Sequence, residues 1–247
     1  MADHGGYKRT LVLSDLHGCY AEFNELLDAA CYDPECDNLI LLGDYSDRGP
    51  NSREVIAQVK ALVEEHGVIA LRGNHDQMFV DALLQHKDSG FLRNGGFHTI
   101  RSYCELDWDE SDFDYDRYIE AKSFILDQYK PHIDFLQTLP FYYEDARHIY
   151  VHAGIDPSFG ERWKEQPERA FIWIRDAFYK HPVQAGKTVL FGHTPVMVIH
   201  ESSDIWFGGD KIGMDGGCCF GGQLNCLEIA EDGSYRSHVA KSRRSGG

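Results

Sequence analysis

Five short segments set a carboxylate, amide or imidazole beside glycine: Asp15-Leu16-His17-Gly18, Gly43-Asp44-Tyr45-Ser46-Asp47-Arg48-Gly49, Gly73-Asn74-His75-Asp76, Val151-His152-Ala153-Gly154 and Gly192-His193-Thr194. Oxygen and imidazole donors without a thiolate suit manganese, iron or zinc better than calcium. Asp44 can offer one oxygen to each of two ions. Two cations about 3.5 to 4 Å apart lower the pKa of a shared water and clamp the attacking and departing oxygens of a phosphoryl displacement. Asp15 and His17, two positions apart, would project to one side of an extended strand end and grip one ion. Asn74, His152 and His193 supply further ligands. Arg48 offers a planar fork for phosphate oxygens. His75 can donate a proton to a leaving oxygen if a carboxylate such as Asp47 holds its tautomer.

Such groups need elements to position them. The first three segments follow the apolar runs Leu11 to Leu13, Leu39 to Leu42 and Val68 to Leu71, which read as buried strands. The polar groups therefore sit at strand ends, where α/β sheets gather ligands and glycine permits close backbone approach. Helices are expected over Ala21 to Ala30, Asn51 to Glu65 and from Asp76 through Leu84, each with an apolar face at helical spacing. Residues 86 to 141 break the alternation. They read as a largely helical insertion capping the site, with a turn at Gly95-Gly96. The acids between Glu105 and Glu120 read as a solvated face that disfavours a long polyphosphate. Short strands are expected at 141 to 144, 148 to 152, 189 to 191, 196 to 199, 212 to 215, 224 to 229 and 235 to 239. Two stacked sheets with helices outside, and ligand loops meeting at one edge, satisfy this pattern as one domain over 1 to 247.

A chain of 247 residues with 43% apolar content can fill one core. A net charge of −16 excludes a nucleic-acid polymer as partner. An anionic substrate must then meet local positive charge, which bound cations would provide. Seven cysteines without a Cys-x-x-Cys pair indicate neither a disulfide framework nor a zinc ribbon, so reduced thiols and a cytoplasmic setting are expected. Cys218 and Cys219 read as packing. Met1 to Thr10 lacks an apolar leader and no run approaches the ~20 apolar residues of a membrane span, so no membrane partner is expected. The tail over 241 to 247, with Lys241, Arg243 and Arg244, reads as solvated and disordered. Ala185-Gly186-Lys187-Thr188 is like the end of a phosphate-binding loop, but His181 stands where that loop needs glycine, so it reads as a turn.

Asp15-Leu16-His17-Gly18-Cys19-Tyr20, Arg72-Gly73-Asn74-His75, Asn94-Gly95-Gly96 and Phe191-Gly192-His193-Thr194-Pro195 together resemble the PPP-type metallophosphoesterases. The resemblance spans Ser14 to Ile229 and is nearest to the small bacterial and lambda-phage serine/threonine protein phosphatases. Symmetrical diadenosine tetraphosphatases are the other group. It implies an α/β fold, a two-sheet β-sandwich flanked by helices in α-β-β-α layers. It further implies that metal 1 takes Asp15, His17 and Asp44, and that metal 2 takes Asp44, Asn74, His152 and His193. Arg48 and Arg175 would hold the phosphate with Asn74 beside them, His75 would be the general acid, and Asp47 its partner. Two divalent ions, manganese first and iron or zinc otherwise, follow from the same resemblance. Asp76 matches the tetraphosphatases, whereas the Asp47-Arg48 pair matches the protein phosphatases. The function expected is hydrolysis of phosphoserine or phosphothreonine in proteins, by direct attack of a metal-bridging hydroxide. The alternative is diadenosine tetraphosphate hydrolysis releasing ADP; a remote one is a silent, metal-bearing binding module. Oligomeric state is left open.

Overall fold

Successive residues of a strand face opposite sides of its sheet, and this parity sorts the apolar runs into layers. In β1 (Arg9–Leu13), Leu11 and Leu13 join the helix-facing core while Val12 joins the core between the sheets. After α1 (Tyr20–Ala29), β2 (Asp37–Leu41) divides in the same way, Leu39 and Leu41 against Ile40. Next come α2 (Ser52–His66), β3 (Ile69–Ala70) and α3 (Asn74–Gln85). The computed structural model describes residues 7–105, 108 and 110–244. The expected N-terminal character falls partly on 1–6 and the tail's end on 245–247, all outside the described residues, as are 106, 107 and 109.

Four helices then follow: α4 (Asp88–Arg93), α5 (Gly96–Cys104), α6 (Tyr115–Gln128) and α7 (Lys130–Thr138). They bury Phe91, Ile100, Tyr103, Tyr118, Ile125 and Leu136 in the same core as α1 to α3, so most of the insertion thickens one helical layer. Its stretch near Arg93 to Thr99 approaches the loop after β2, and its end at Gln137 and Pro140 bonds Arg72 just after β3. Among the acids of this region, Glu105 pairs with Arg53 at 2.7 Å and the Asp114 carboxylate caps α6 at the Arg117 N–H.

The second half contains β4 (Tyr142–Glu144), β5 (His148–Val151), α8 (Glu168–Trp173), α9 (Asp176–Tyr179), β6 (Thr188–Phe191), α10 (Val196–His200), β7 (Trp206–Phe207), β8 (Lys211–Gly213), β9 (Gln223–Ala230) and β10 (Tyr235–Lys241). One sheet runs β10-β9-β1-β2-β3, with β1, β2 and β3 parallel; the other runs β4-β5-β6-β8-β7, with β5, β6 and β8 parallel. Between them lie Val12, Ile40, Leu42, Leu71, Tyr150, Leu190, Ile212 and Leu227. Beyond the second sheet, α8 and α9 cover Ile149, Val151, Val189 and Phe191 with Phe171, Ile172 and Phe178. The result is the expected α-β-β-α sandwich. Ile40 is fully buried between the sheets, and truncation to Ala would cost about 2 to 5 kcal/mol.

Two expectations are corrected. Val196 to Ile199, expected as a strand, forms the single-turn helix α10 after Pro195. Three of its four residues are β-branched, but only Val196 is buried, while Met197 and Val198 are 51% and 69% exposed, so no sheet face claims the run. The tail is docked rather than disordered as far as Arg244, although the side chains of Lys241, Arg243 and Arg244 stay exposed. Lys241 ends β10, the Ser242 N–H donates to the Gly222 carbonyl, and Arg243 binds Glu22 and Glu25 on α1.

Candidate metal centre

Every parallel strand of both sheets delivers a polar residue at its carboxyl end: Asp15 after β1, Asp44 after β2, Asn74 after β3, His152 after β5, His193 after β6 and Asp215 after β8. Six residues of these loops, Asp15, His17, Asp44, Asp47, Arg48 and His193, have φ between 41° and 70°. Side chains there are strained by contact with their own backbone, a cost that persists where surrounding bonds over-determine the loop. Two glycines make the loops fit together. A Cβ on Gly73 would collide with Asp44, and one on Gly192 with Ser14 and Asp15.

Asp44 stands at the middle. Its Oδ1 accepts from the His75 N–H at 2.9 Å, and its Oδ2 lies 3.4 Å from both His17 Nε2 and His152 Nε2. The outward nitrogens are fixed by carbonyls: His17 Nδ1 donates to Ser46 at 2.7 Å and His152 Nδ1 to Leu42 at 3.0 Å. Carbonyls only accept, so each ring, when neutral, turns an Nε2 lone pair inward. His152 Nε2 is 2.9 Å from Asn74 Oδ1, which sets two acceptors face to face. His193 Nε2 is buried with no hydrogen-bond partner. A cation shared among these atoms satisfies all of them at once, and the oxygen and imidazole set suits a transition metal. Ligand atoms of His17, Asp44 and His75 lie within 4.8 Å of one another, as do those of Asp44, His152 and His193.

The electrostatics favour ligand-competent states of His17, His193 and Asp44, and hold a proton on His152. Burial, the Arg48 charge and His75 hold His17 well below its usual range, and burial with the His152 and Arg175 charges lowers His193 to about 2. Burial opposes ionisation of Asp44, yet His152 and His75 outweigh it and hold its carboxyl well below the ordinary value. Burial would also depress His152, but the Asp44 carboxylate raises it to about 9. That proton marks a place where positive charge is favoured.

Asp15 departs from the expected geometry. It and His17 are both left-handed rather than extended, and the Asp15 carboxylate accepts from Ser14 Oγ and from the His193 N–H at 3.0 and 3.1 Å. Asp47 Oδ2 lies 2.7 Å from His75 Nδ1, with both side chains buried. Arg48 Nη1 donates to His17 Nε2 at 2.8 Å and its guanidinium lies 4.9 Å from the centre of the Phe220 ring. Arg175 reaches the rim, donating to the His193 carbonyl at 2.9 Å.

Sequence reasoning missed three supports. Thr99 on α5 donates to Asp47 Oδ1 at 2.7 Å and accepts from the Asp47 N–H at 2.8 Å. Nothing local to Thr99 announced this. Asp76 accepts from the N–H groups of Gly73, Asp44 and Tyr45 at 2.9, 2.9 and 3.0 Å, so it braces the loop that carries Asp44. Its place three residues after a helix cap was a usable signal. Asp215, buried with its carboxyl pushed well up by burial and by Asp15, repeats the acid-beside-glycine pattern at a sixth strand end. Cys218 lies against Cys19, whose thiol is pushed up by its hydrogen bond to Cys218 and by burial.

A family model for the calcineurin-like phosphoesterases matches residues 8–232. Serine/threonine-protein phosphatase 1 of Salmonella typhimurium is 28% identical over 226 residues, covering 90% of this chain and 93% of that one. A symmetrical bis(5'-nucleosyl)-tetraphosphatase of Aromatoleum aromaticum is 30% identical over 159 residues, 64% of this chain and 47% of that one. The crystal structure of a metallophosphoesterase from Sphaerobacter thermophilus superposes with a TM-score of 0.56 at 16% identity, covering 96% of this chain and 90% of the other.

Proposed function

Since this chain belongs to the calcineurin-like phosphoesterase family, we propose that it is a two-metal phosphomonoesterase acting on phosphoserine and phosphothreonine in proteins. The observation that carries the reading is the convergence on Asp44 Oδ2, 3.4 Å from two imidazoles, beside a His193 nitrogen with no other partner. Bound divalent ions, manganese being the proposed metal, would activate water and offset charge on the phosphoryl oxygens. The chain's own groups do the rest. Asp44, His17, Asn74, His152 and His193 hold the ions, with Asp15 at the edge of the set. Arg48 and Arg175 orient the phosphate from two sides. Asp47 fixes His75 by its Nδ1–H and stabilises the imidazolium, so that Nε2 can protonate the departing alkoxide.

The protein substrate is supported by the phosphatase relative, which aligns over nearly its whole length. A dinucleotide polyphosphate is the second reading, favoured by Asp76 and by the tetraphosphatase relative. The measurement that separates them is kcat/KM for a phosphothreonine peptide and for diadenosine tetraphosphate on manganese-loaded enzyme at one ionic strength. The peptide is expected to be preferred. A preference for the dinucleotide, with release of two ADP, would overturn the reading.

A further inference from the structure

A cleft of about 650 Å³ opens beside Arg48, its walls including Arg93, His98, Phe220 and Arg244. Some arginines of the chain are neutralised by acids: Arg9 binds Asp37 and Glu228, and Arg53 binds Glu54 and Glu105. Among the described residues, no carboxylate pairs with Arg48, Arg93 or Arg244. Arg93 donates Nε to the Ser89 carbonyl at 3.0 Å, and Arg244 donates Nη1 to the carbonyls of Arg48 and Cys219 at 2.8 and 3.1 Å. Three guanidinium groups thus share one cleft in a chain of net charge −16. The insertion contributes Arg93, Asn94, Gly95 and His98 to its walls.

The tail places the third cation. Arg243 is tied to α1 through Glu22 and Glu25, both by its N–H and by its guanidinium, so its neighbour Arg244 is carried across to the cleft. Guanidinium groups that repel one another and lack acids are matched by a doubly charged anion with several oxygens. Arg48 links this cleft to the basin around Asp44, because it touches both His17 and Phe220.

We infer that the cleft formed by Arg48, Arg93 and Arg244 is a second anion subsite, which receives a phosphate of the substrate other than the one hydrolysed. The inference rests on the phosphatase reading for its source, a second phosphorylated residue close to the first in the same polypeptide. The same chemistry would arise from the next phosphate of a polyphosphate chain, and the experiment separates the two.

The test compares metal-loaded wild type, Arg93→Ala and Arg244→Gln on three substrates: a singly phosphorylated peptide, the same peptide doubly phosphorylated, and diadenosine tetraphosphate. Wild type should favour the doubly phosphorylated peptide about tenfold in kcat/KM, and each variant should bring that ratio close to one. The preference should also shrink with added salt. Equal ratios in wild type and both variants would overturn the subsite. Equal loss on both peptides in both variants would also overturn it, since these arginines would then only support Arg48. If neither peptide is turned over while diadenosine tetraphosphate is, and both variants slow the latter, the subsite stands with a polyphosphate source and the protein-phosphatase reading falls. If the variants leave dinucleotide turnover unaltered in that case, the subsite falls as well.

Discussion

In the basin around Asp44 each proposed ligand is held by a backbone group or by another of the set, whereas in the neighbouring cleft the arginines rest on carbonyls or on an aromatic ring. Asp15, His17, Asp44, Asn74, His152 and His193 are all 4% exposed or less, and four of the six have positive φ. Arg93 and Arg244 are exposed, and Phe220 is 59% exposed. The contrast divides the labour of the site. Chemistry needs donors fixed to within a fraction of an ångström, which strained and fully bonded loops provide. Recognition of variable groups tolerates long side chains that adjust to the ligand. Arg48 belongs to both regions.

The contrast breaks most visibly at Asp44. If both ions depend on its carboxylate, Asp44→Asn should lower bound manganese below two per chain and bring turnover close to the uncatalysed background, a loss of at least about 10³-fold. Elemental analysis together with kcat on p-nitrophenyl phosphate checks this. A variant that keeps two metals would show that Asp44 does not bridge.

His75 should give the next largest effect. A general acid matters where the leaving group is a strong base, so His75→Asn should slow alkyl phosphates by about 10² to 10⁴-fold and p-nitrophenyl phosphate far less. Equal losses on both, with metal content intact, would give His75 a structural place instead.

Thr99 tests whether fixity extends one layer outward. Asp47 is pushed up by burial, and its bonds to His75 and Thr99 oppose that shift. Thr99→Val removes one opposing bond, so Asp47 should protonate at a higher pH and the acid limb of the rate profile for alkyl phosphates should move upward. The loss at neutral pH should be about tenfold. A uniform loss across pH, with the limb unmoved, would make Thr99 a packing residue only.

The two regions were unequally legible in the sequence. The convergence of the basin's residues could be read because they come from strand ends next to glycines, and short-range pattern fixes both. The sandwich itself followed from the same runs, since parity divides Leu39 and Leu41 from Ile40 without long-range information. What sequence could not supply was orientation. Asp15 and His17 meet the site through left-handed backbone and the His193 amide, not through the alternation of an extended strand. The cleft was not legible at all. Arg93 and Arg244 are 151 positions apart, and the tail's Ser and Gly company reads as disordered until Glu22 and Glu25 on α1 are seen to hold it.

Phe220 should give the smallest effect, and it tests Arg48 where the regions meet. The Arg48 guanidinium now donates to His17 Nε2, the nitrogen that the basin needs as a ligand. When His17 turns that lone pair to a metal, the Arg48 guanidinium loses this partner and rests on the Phe220 ring and the Cys219 thiol, while its backbone keeps the bonds to Gly95 and Arg244. A cation over an exposed ring is worth about 0.5 to 1 kcal/mol, a factor of roughly 2 to 5. Arg48 binds phosphate in the ground state as well as during reaction, so Phe220→Ala should raise KM by that factor and leave kcat nearly unchanged. Phe220→Tyr should restore KM, because the ring face is kept. A fall in kcat instead, with KM unaltered, would mean that Phe220 acts on the basin through the loop it shares with Asp215 and Cys219, and that the cleft and the basin are one rigid unit.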